Sequence, residues 1–204
     1  MANTRGFWMQ RWHSLLGLVP VGAYLLVHLM INYQATRGEE AFNKAVEMAE
    51  SLPFLIVLET VLIYLPLLYH AGYGLYIAFI AKHNTRAYGH FRNRMFFWQR
   101  ITGMFTLAFI VWHVWETRIQ YALGNKSLDY QMMADILQNP WMVAFYLVGL
   151  LSAVFHLSNG LWSFLVHWGI TVGPRSQRMA TYVTMGLFVV VSVIGVRALF
   201  AFIP

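Results

Sequence analysis

Gly149-Leu150-Leu151-Ser152-Ala153-Val154-Phe155-His156-Leu157-Ser158-Asn159-Gly160-Leu161-Trp162-Ser163 lies inside an apolar run too long for anything but a membrane helix. At 3.6 residues per turn Gly149, Ser152, His156, Gly160 and Ser163 share one face, so a lone histidine stands in a stripe of residues with almost no side chain. Such a face makes room for something flat and large, although small residues also simply let helices pack closely. Three other apolar segments each carry one comparably deep histidine: His28, His70 and His113.

Composition agrees with a membrane setting. Of 204 residues 59% are hydrophobic and 11% charged, against roughly 25% charged in soluble domains. The chain has no cysteine, which removes disulfides, thiolate metal sites, iron–sulfur ligation and thiol catalysis; metal chemistry must rest on histidine, carboxylate or a bound cofactor. The net charge of +6 does not point to nucleic acid, because the basic residues sit between apolar spans rather than on a soluble amphipathic element.

Apolar segments of spanning length lie roughly at 12–33, 54–81, 96–119, 140–167 and 179–203, each reaching the ~20 residues a bilayer needs. The expected fold class is an all-α integral membrane protein with five transmembrane helices, the first four an up-down-up-down bundle, in a single domain over 1–204. Arg5 and Arg11 before an apolar run mimic a secretory signal, but the run continues too far and no small-x-small site precedes His28, so this segment reads as a retained first helix. The fifth span, rich in Val and Phe and without histidine, reads as mostly lipid-facing.

Charge fixes the expected topology. The N-terminal arm and the 82–100 and 168–178 connections hold Arg5, Arg11, Lys82, Arg86, Arg92, Arg94, Arg100, Arg175 and Arg178 and no acid. The other two connections gather Glu39, Glu40, Glu47, Glu50, Asp129 and Asp135. By the positive-inside rule the N-terminus is cytoplasmic and the C-terminus outside. Within the acidic connections, Phe42, Ala45, Val46, Ala49 and Leu52 recur at helical spacing. Asp129 can cap a short helix presenting Met132, Met133, Ile136 and Leu137. Both read as interfacial helices that cover helix ends or roof a ligand site.

With that topology, depth follows from 1.5 Å per residue. His28 comes 16 positions after Trp12 and His113 15 after Trp98, placing both at the outer side of a core about 30 Å thick. The second and fourth helices run the other way, so His70 and His156 share an inner level. Each pair comes from alternate helices, which are diagonal neighbours in such a bundle, and the diagonal is wide enough for two imidazoles with a metal cofactor between them. A single intramembrane histidine serves equally well as an interhelical hydrogen-bonding residue; four, one per helix at two matched depths, point to two bis-histidine haem b groups, His28 with His113 and His70 with His156. Such centres have no open position and suit electron transfer. Gly17, Thr102, Thr106 and Gly74 fall near the ligands' own faces, and Pro66 sits one turn before His70. His13, His83, His90 and His167 lie near the cytoplasmic end; His13, Ser14, Arg100 and His167 are candidates for propionate contacts. Glu59, Glu116, Tyr33, Asn32 and Trp115 lie at the outer level and are candidates for a quinone site, which needs an apolar slot and a proton-exchanging group. Glu59 ranks first among them.

The chain resembles, nearly end to end, the cytochrome b membrane anchors of succinate dehydrogenase of the Gram-positive five-helix, two-haem type. The stretches that carry the resemblance are Arg11-Trp12-His13-Ser14-Leu15-Leu16-Gly17, Tyr69-His70-Ala71-Gly72-Tyr73-Gly74, Trp112-His113-Val114-Trp115-Glu116-Thr117-Arg118, Phe155–Ser163 and Pro174-Arg175-Ser176-Gln177-Arg178. It implies a bacterial cytoplasmic membrane, a basic inner face docked to an iron–sulfur subunit and an FAD flavoprotein, and electrons passing by the inner and then the outer haem to a quinone, usually menaquinone. It implies no dicarboxylate site in this chain, and it covers quinol:fumarate reductases working in reverse. Cytochrome b subunits of hydrogenases or formate dehydrogenases match the quoted motifs less well, and an absorbance spectrum separates a haem-free structural anchor. A proton-relay transporter needs a polar path between the two depths, yet beyond Tyr, Ser and Thr the spans hold little and Arg197 is isolated near the outer end of the fifth; a di-iron hydroxylase needs repeated His-x-x-His clusters, which are absent.

Overall fold

The computed structural model describes residues 4–80 and 90–203, and the side chains from Gly6. Five helices are long and apolar enough to cross a membrane: Gly6–Arg37, Leu55–Ile80, Phe91–Ala122, Pro140–His167 and Pro174–Phe200. The first, third and fifth begin earlier than the apolar stretches alone suggest. Basic residues near the first and third of these helix starts pack on aromatic rings, Arg11 over Phe7 and Trp168 and Arg92 over Phe91 and Trp162, so their stems and charges are accommodated as the helix runs beyond the apolar stretch. Lys82, His83 and Arg86 lie outside the described residues.

The two acidic connections form the expected short helices, Glu39–Glu50 and Tyr130–Leu137. Gly38, at φ 104°, turns the chain out of the first span, and Glu39 and Glu40 then meet the positive end of the new helix. Asp129 caps the second, its Oδ1 accepting from the Met132 amide at 2.9 Å. The Tyr130 amide donates to Asn43 Oδ1 and its hydroxyl to the Ala201 carbonyl. Phe42, Met132, Ile136 and Leu137 are buried with Tyr146, Leu199 and Phe202, so both helices cover the N-terminal end of the fourth span and the C-terminal end of the fifth. Leu52, expected on that apolar stripe, is exposed.

The fourth span is the structural axis. Asn139 caps it and Pro140 occupies its first turn, where the missing N–H costs nothing. Against the third span, Gln99 meets His156 and Asn159 while Phe109 and His113 meet Tyr146, an antiparallel pairing. Its other neighbours are also antiparallel: Trp162 donates to the Gln177 carbonyl and Phe155 packs on Phe188 of the fifth span, and Trp168 reaches Ser14 of the first.

The fifth span is not peripheral. It buries Ala180, Thr184, Val191, Gly195, Ala198 and Leu199 between the fourth span and the first, where Val191 joins Leu29, Leu150 and Val154. A methyl group at Gly195 would stand 2.8 Å from Leu150 Cδ1. The overall Val and Phe content conceals this face of small residues, which is how apolar helices approach one another in lipid.

Three spans contain a π-helical turn: Gly17–Gly22, with Pro20 inside it, Thr60–Tyr64, just before Pro66, and Trp115–Ile119, just after His113. Proline has no N–H to give the preceding turn, and each extra residue in a turn rotates the helix beyond it, so straight 3.6-residue counting drifts across these points.

Candidate functional site

The structure brings the four deep histidines together as two pairs. His28 and His113 have ring centroids 5.8 Å apart and planes at 74°; His70 and His156 are 5.9 Å apart at 83°. At the outer pair, His113 Nδ1 is 3.2 Å from the Tyr146 hydroxyl, and Phe109 lies against the imidazole with centroids 5.6 Å apart. Tyr146 donates to Glu116 Oε2 at 3.1 Å, as does Trp112 Nε1 at 3.0 Å. Asn32, one turn after His28, donates to the His28 carbonyl at 2.8 Å and stands 3.3 Å from its Nε2.

At the inner pair both Nδ1 atoms donate to backbone carbonyls, His70 to His13 at 2.8 Å and His156 to Gln99 at 3.0 Å. That bond fixes the tautomer and leaves Nε2 with a lone pair, the state a metal ligand requires. The His13 ring stacks on His70 at 4.1 Å with planes 4° apart. Gln99 also donates to the His156 carbonyl and accepts from the buried Asn159.

Glycines let these rings sit close to helix backbones. A Cβ at Gly17 would collide with the His70 imidazole, and one at Gly103 would come within 2.8 Å of His156 Cε1. Gly17 thus serves the inner pair rather than His28, from which 11 residues of helix, about 16 Å, separate it. Gly74 approaches His13, Gly149 is filled by Phe109 and Gly160 meets Gln99. The Gly/Ser stripe of the fourth span is therefore its packing face toward the third, not an open slot. Thr102 turns its hydroxyl back onto the Trp98 carbonyl.

Among the described residues no three His, Cys, Asp or Glu side chains gather around one point as a bare metal would need, so each pair can hold only a metal that brings its other ligands with it. The spacing fits one. Metal–imidazole bonds of roughly 2.0–2.1 Å and ring radii of about 1.2 Å place coaxial ring centres about 6.5 Å apart, so the rings, at 5.8 and 5.9 Å, need recede only slightly to take a metal between them. Ligation through His28 Nε2 would displace its contact with Asn32 and leave that amide on the carbonyl.

The other candidates separate. Of the inner set, His13 packs on His70, Ser14 donates to the Arg11 carbonyl and accepts from Trp168 Nε1, Arg100 lies over Phe96, and His167 is exposed with its carbonyl facing Arg11. His90 is exposed at the start of the third span. Of the outer set, Glu59 alone lines a cleft of about 480 Å³, together with Ile56, Tyr64, Val114, Arg118, Ile119, Tyr121 and Ala122. Arg118 joins Glu59 at 2.9 Å to Glu50 at 3.0 Å. Glu116 belongs to the His113–Tyr146 chain, Asn32 to His28, Tyr33 faces Arg197 at 6.0 Å and Trp115 is exposed.

Sequence reasoning passed over Tyr146, Gln99, Gly103 and Arg118. Counting depth for every polar residue finds two of them: Tyr146 lies five positions inside the fourth span from Trp141, at the outer level, and Gln99 lies 14 before His113, at the inner one.

A model of the succinate dehydrogenase/fumarate reductase transmembrane subunit matches residues 80–196. The chain is 55% identical over 203 residues, covering both chains fully, to the succinate dehydrogenase cytochrome b558 subunit of Bacillus subtilis (strain 168). It is 26% identical over 99 residues to the succinate dehydrogenase hydrophobic membrane anchor subunit of Thermoplasma acidophilum, covering 48% of this chain and 77% of that one. With five apolar spans and a full-length relative at this identity, the chain belongs to the family of succinate dehydrogenase and fumarate reductase transmembrane subunits.

Proposed function

We propose that this chain is the di-haem cytochrome b anchor of a succinate:quinone oxidoreductase in a bacterial cytoplasmic membrane, with its N-terminus cytoplasmic. The observation that carries the reading is the meeting of four histidines from four spans as two pairs at 5.8 and 5.9 Å. When bound there, haem b supplies one-electron transfer between a cytoplasmic iron–sulfur subunit, itself joined to an FAD flavoprotein, and a membrane quinone, most simply menaquinone.

The residues of this chain do the rest. His70 and His156 would hold the inner group and His28 and His113 the outer one, two imidazoles to each, a ligand set suited to electron transfer rather than oxygen chemistry. Reduction of a quinone to a quinol takes up two electrons and two protons, so its site needs a proton-exchanging group. Glu59, in an apolar cleft open to lipid and held by Arg118, supports that role, with Tyr64 and Tyr121 on the wall. The family also contains fumarate reductases, in which the same route runs from quinol inward; dicarboxylate chemistry stays with the partner subunits in either direction.

The test is a reduced-minus-oxidised spectrum of the purified complex with pyridine haemochrome quantitation. The expected result is about two low-spin haem b per chain. Protein made with haem available that carries none would leave a structural anchor and overturn the reading.

A further inference from the structure

His113 differs from His70 and His156 in what holds its Nδ1. His70 and His156 donate to backbone carbonyls, neutral dipoles fixed by the helices. His113 donates instead to the Tyr146 hydroxyl at 3.2 Å, which passes its own proton toward Glu116 Oε2 at 3.1 Å. A phenol has one proton. If that proton is committed to the carboxylate, its oxygen can only accept from His113, so the chain His113 Nδ1–H to Tyr146 to Glu116 has one direction. Trp112 Nε1 donates to the same carboxylate oxygen, which holds Glu116 as the acceptor at the end of the line. Tyr146 is 4% exposed, so water does not compete for its hydroxyl, and Phe109 against both rings fixes their mutual angle.

We propose that Tyr146 and Glu116 are positioning residues for the outer centre: they fix the tautomer and orientation of His113 and, by ending its hydrogen-bond chain on a carboxylate, make it a stronger donor to iron than the inner histidines, lowering the midpoint potential of that centre. The inference rests on the proposed seating of haem between His28 and His113. Its physics is that a more anionic acceptor on Nδ1–H raises the basicity of Nε2. A more basic ligand favours the more positively charged ferric state over the ferrous one.

The experiment is an optical redox titration of the intact complex, with low-spin EPR, on the parent, Tyr146→Phe, Glu116→Gln and His113→Tyr. His113→Tyr identifies the outer centre by the signal it removes. The expected result is that Tyr146→Phe keeps both haems, raises the midpoint of that centre and alters its EPR signal, while the inner midpoint stays. Glu116→Gln, which keeps an acceptor but not the charge, shifts the same midpoint upward by less. The proposal is overturned if both variants keep two haems with unchanged midpoints, or if the midpoint that moves is the one surviving in His113→Tyr. Should Tyr146→Phe fail to assemble, Glu116→Gln alone decides by the same criterion. If His113→Tyr still carries two haems, the seating of the outer group falls, and the inference with it.

Discussion

Gly103→Ala tests the inner pair through one added methyl group. That methyl would stand 2.8 Å from His156 Cε1 and 3.1 Å from its Nδ1, whereas ordinary carbon contacts begin near 3.4 Å, so the ring must recede by about 0.6 Å. It has little freedom to do so. Its Nδ1 is held to the Gln99 carbonyl at 3.0 Å on the same helix that carries Gly103, and moving away from that helix stretches the bond. Losing one such hydrogen bond costs about 1 kcal/mol, and overpacking a close-packed site typically costs about 1–3 kcal/mol. Since a lost outer-shell partner lowers metal affinity by roughly 10–100-fold, the expected outcome is a preparation depleted in one haem while the other stays. The assay is haemochrome quantitation with EPR of the purified complex. Gly72→Ala is the control, because a methyl there meets nothing within 4 Å and alanine favours helix by about 1 kcal/mol. Two haems per chain with an unaltered inner signal in Gly103→Ala would refute the placement of His156 as a ligand pressed against the third span.

Other contacts make equally definite demands. His28→Tyr and His113→Tyr should each remove the outer haem and quinone reduction while succinate oxidation with an artificial acceptor continues; full quinone reductase activity in both variants would exclude that route. Glu59→Gln should slow quinone reduction at unchanged haem content, and Arg118→Gln should do so more severely because it leaves Glu50 and Glu59 facing each other without their shared cation; steady-state turnover with a soluble quinone checks both. Gly195→Val should lower the thermal midpoint of the detergent-solubilised complex, an overpacking cost of about 1–3 kcal/mol against Leu150, with both haems retained; an unchanged midpoint would mean that the fourth and fifth spans are not in close contact there.

The fold was legible where a physical quantity accumulates along the chain. Twenty or more apolar residues must span, the acids of 39–50 lie opposite an apolar face, and Asp129 stands three residues before the amide it caps. What was not legible depends on which face of a span meets which neighbour. The fifth span shows this: its small residues 180, 184, 195 and 198 form a packing face, but in a segment apolar on every side no hydrophobic contrast marks it. The π-helical turns compound the difficulty, since each rotates the residues beyond it relative to a uniform count.

The site divides along the same line. Depth depends only on rise per residue, which is nearly constant, and it brings His28 to the level of His113 and His70 to that of His156. Angle depends on every turn in between, so uniform counting puts Gly17 on the face of His28 whereas it stands against His70, and the stripe around His156 is filled by Phe109 and Gln99. Candidates chosen by depth alone therefore mix two environments that angle separates. Glu59 faces an apolar cleft beside Arg118, while Glu116, at the same level, is drawn inward by Trp112 and Tyr146 toward His113. Under the proposed function, the first acid exchanges protons with the quinone and the second acts on a haem ligand. Substituting each with glutamine should separate those roles: the first changes turnover without moving a midpoint potential, and the second moves the outer midpoint.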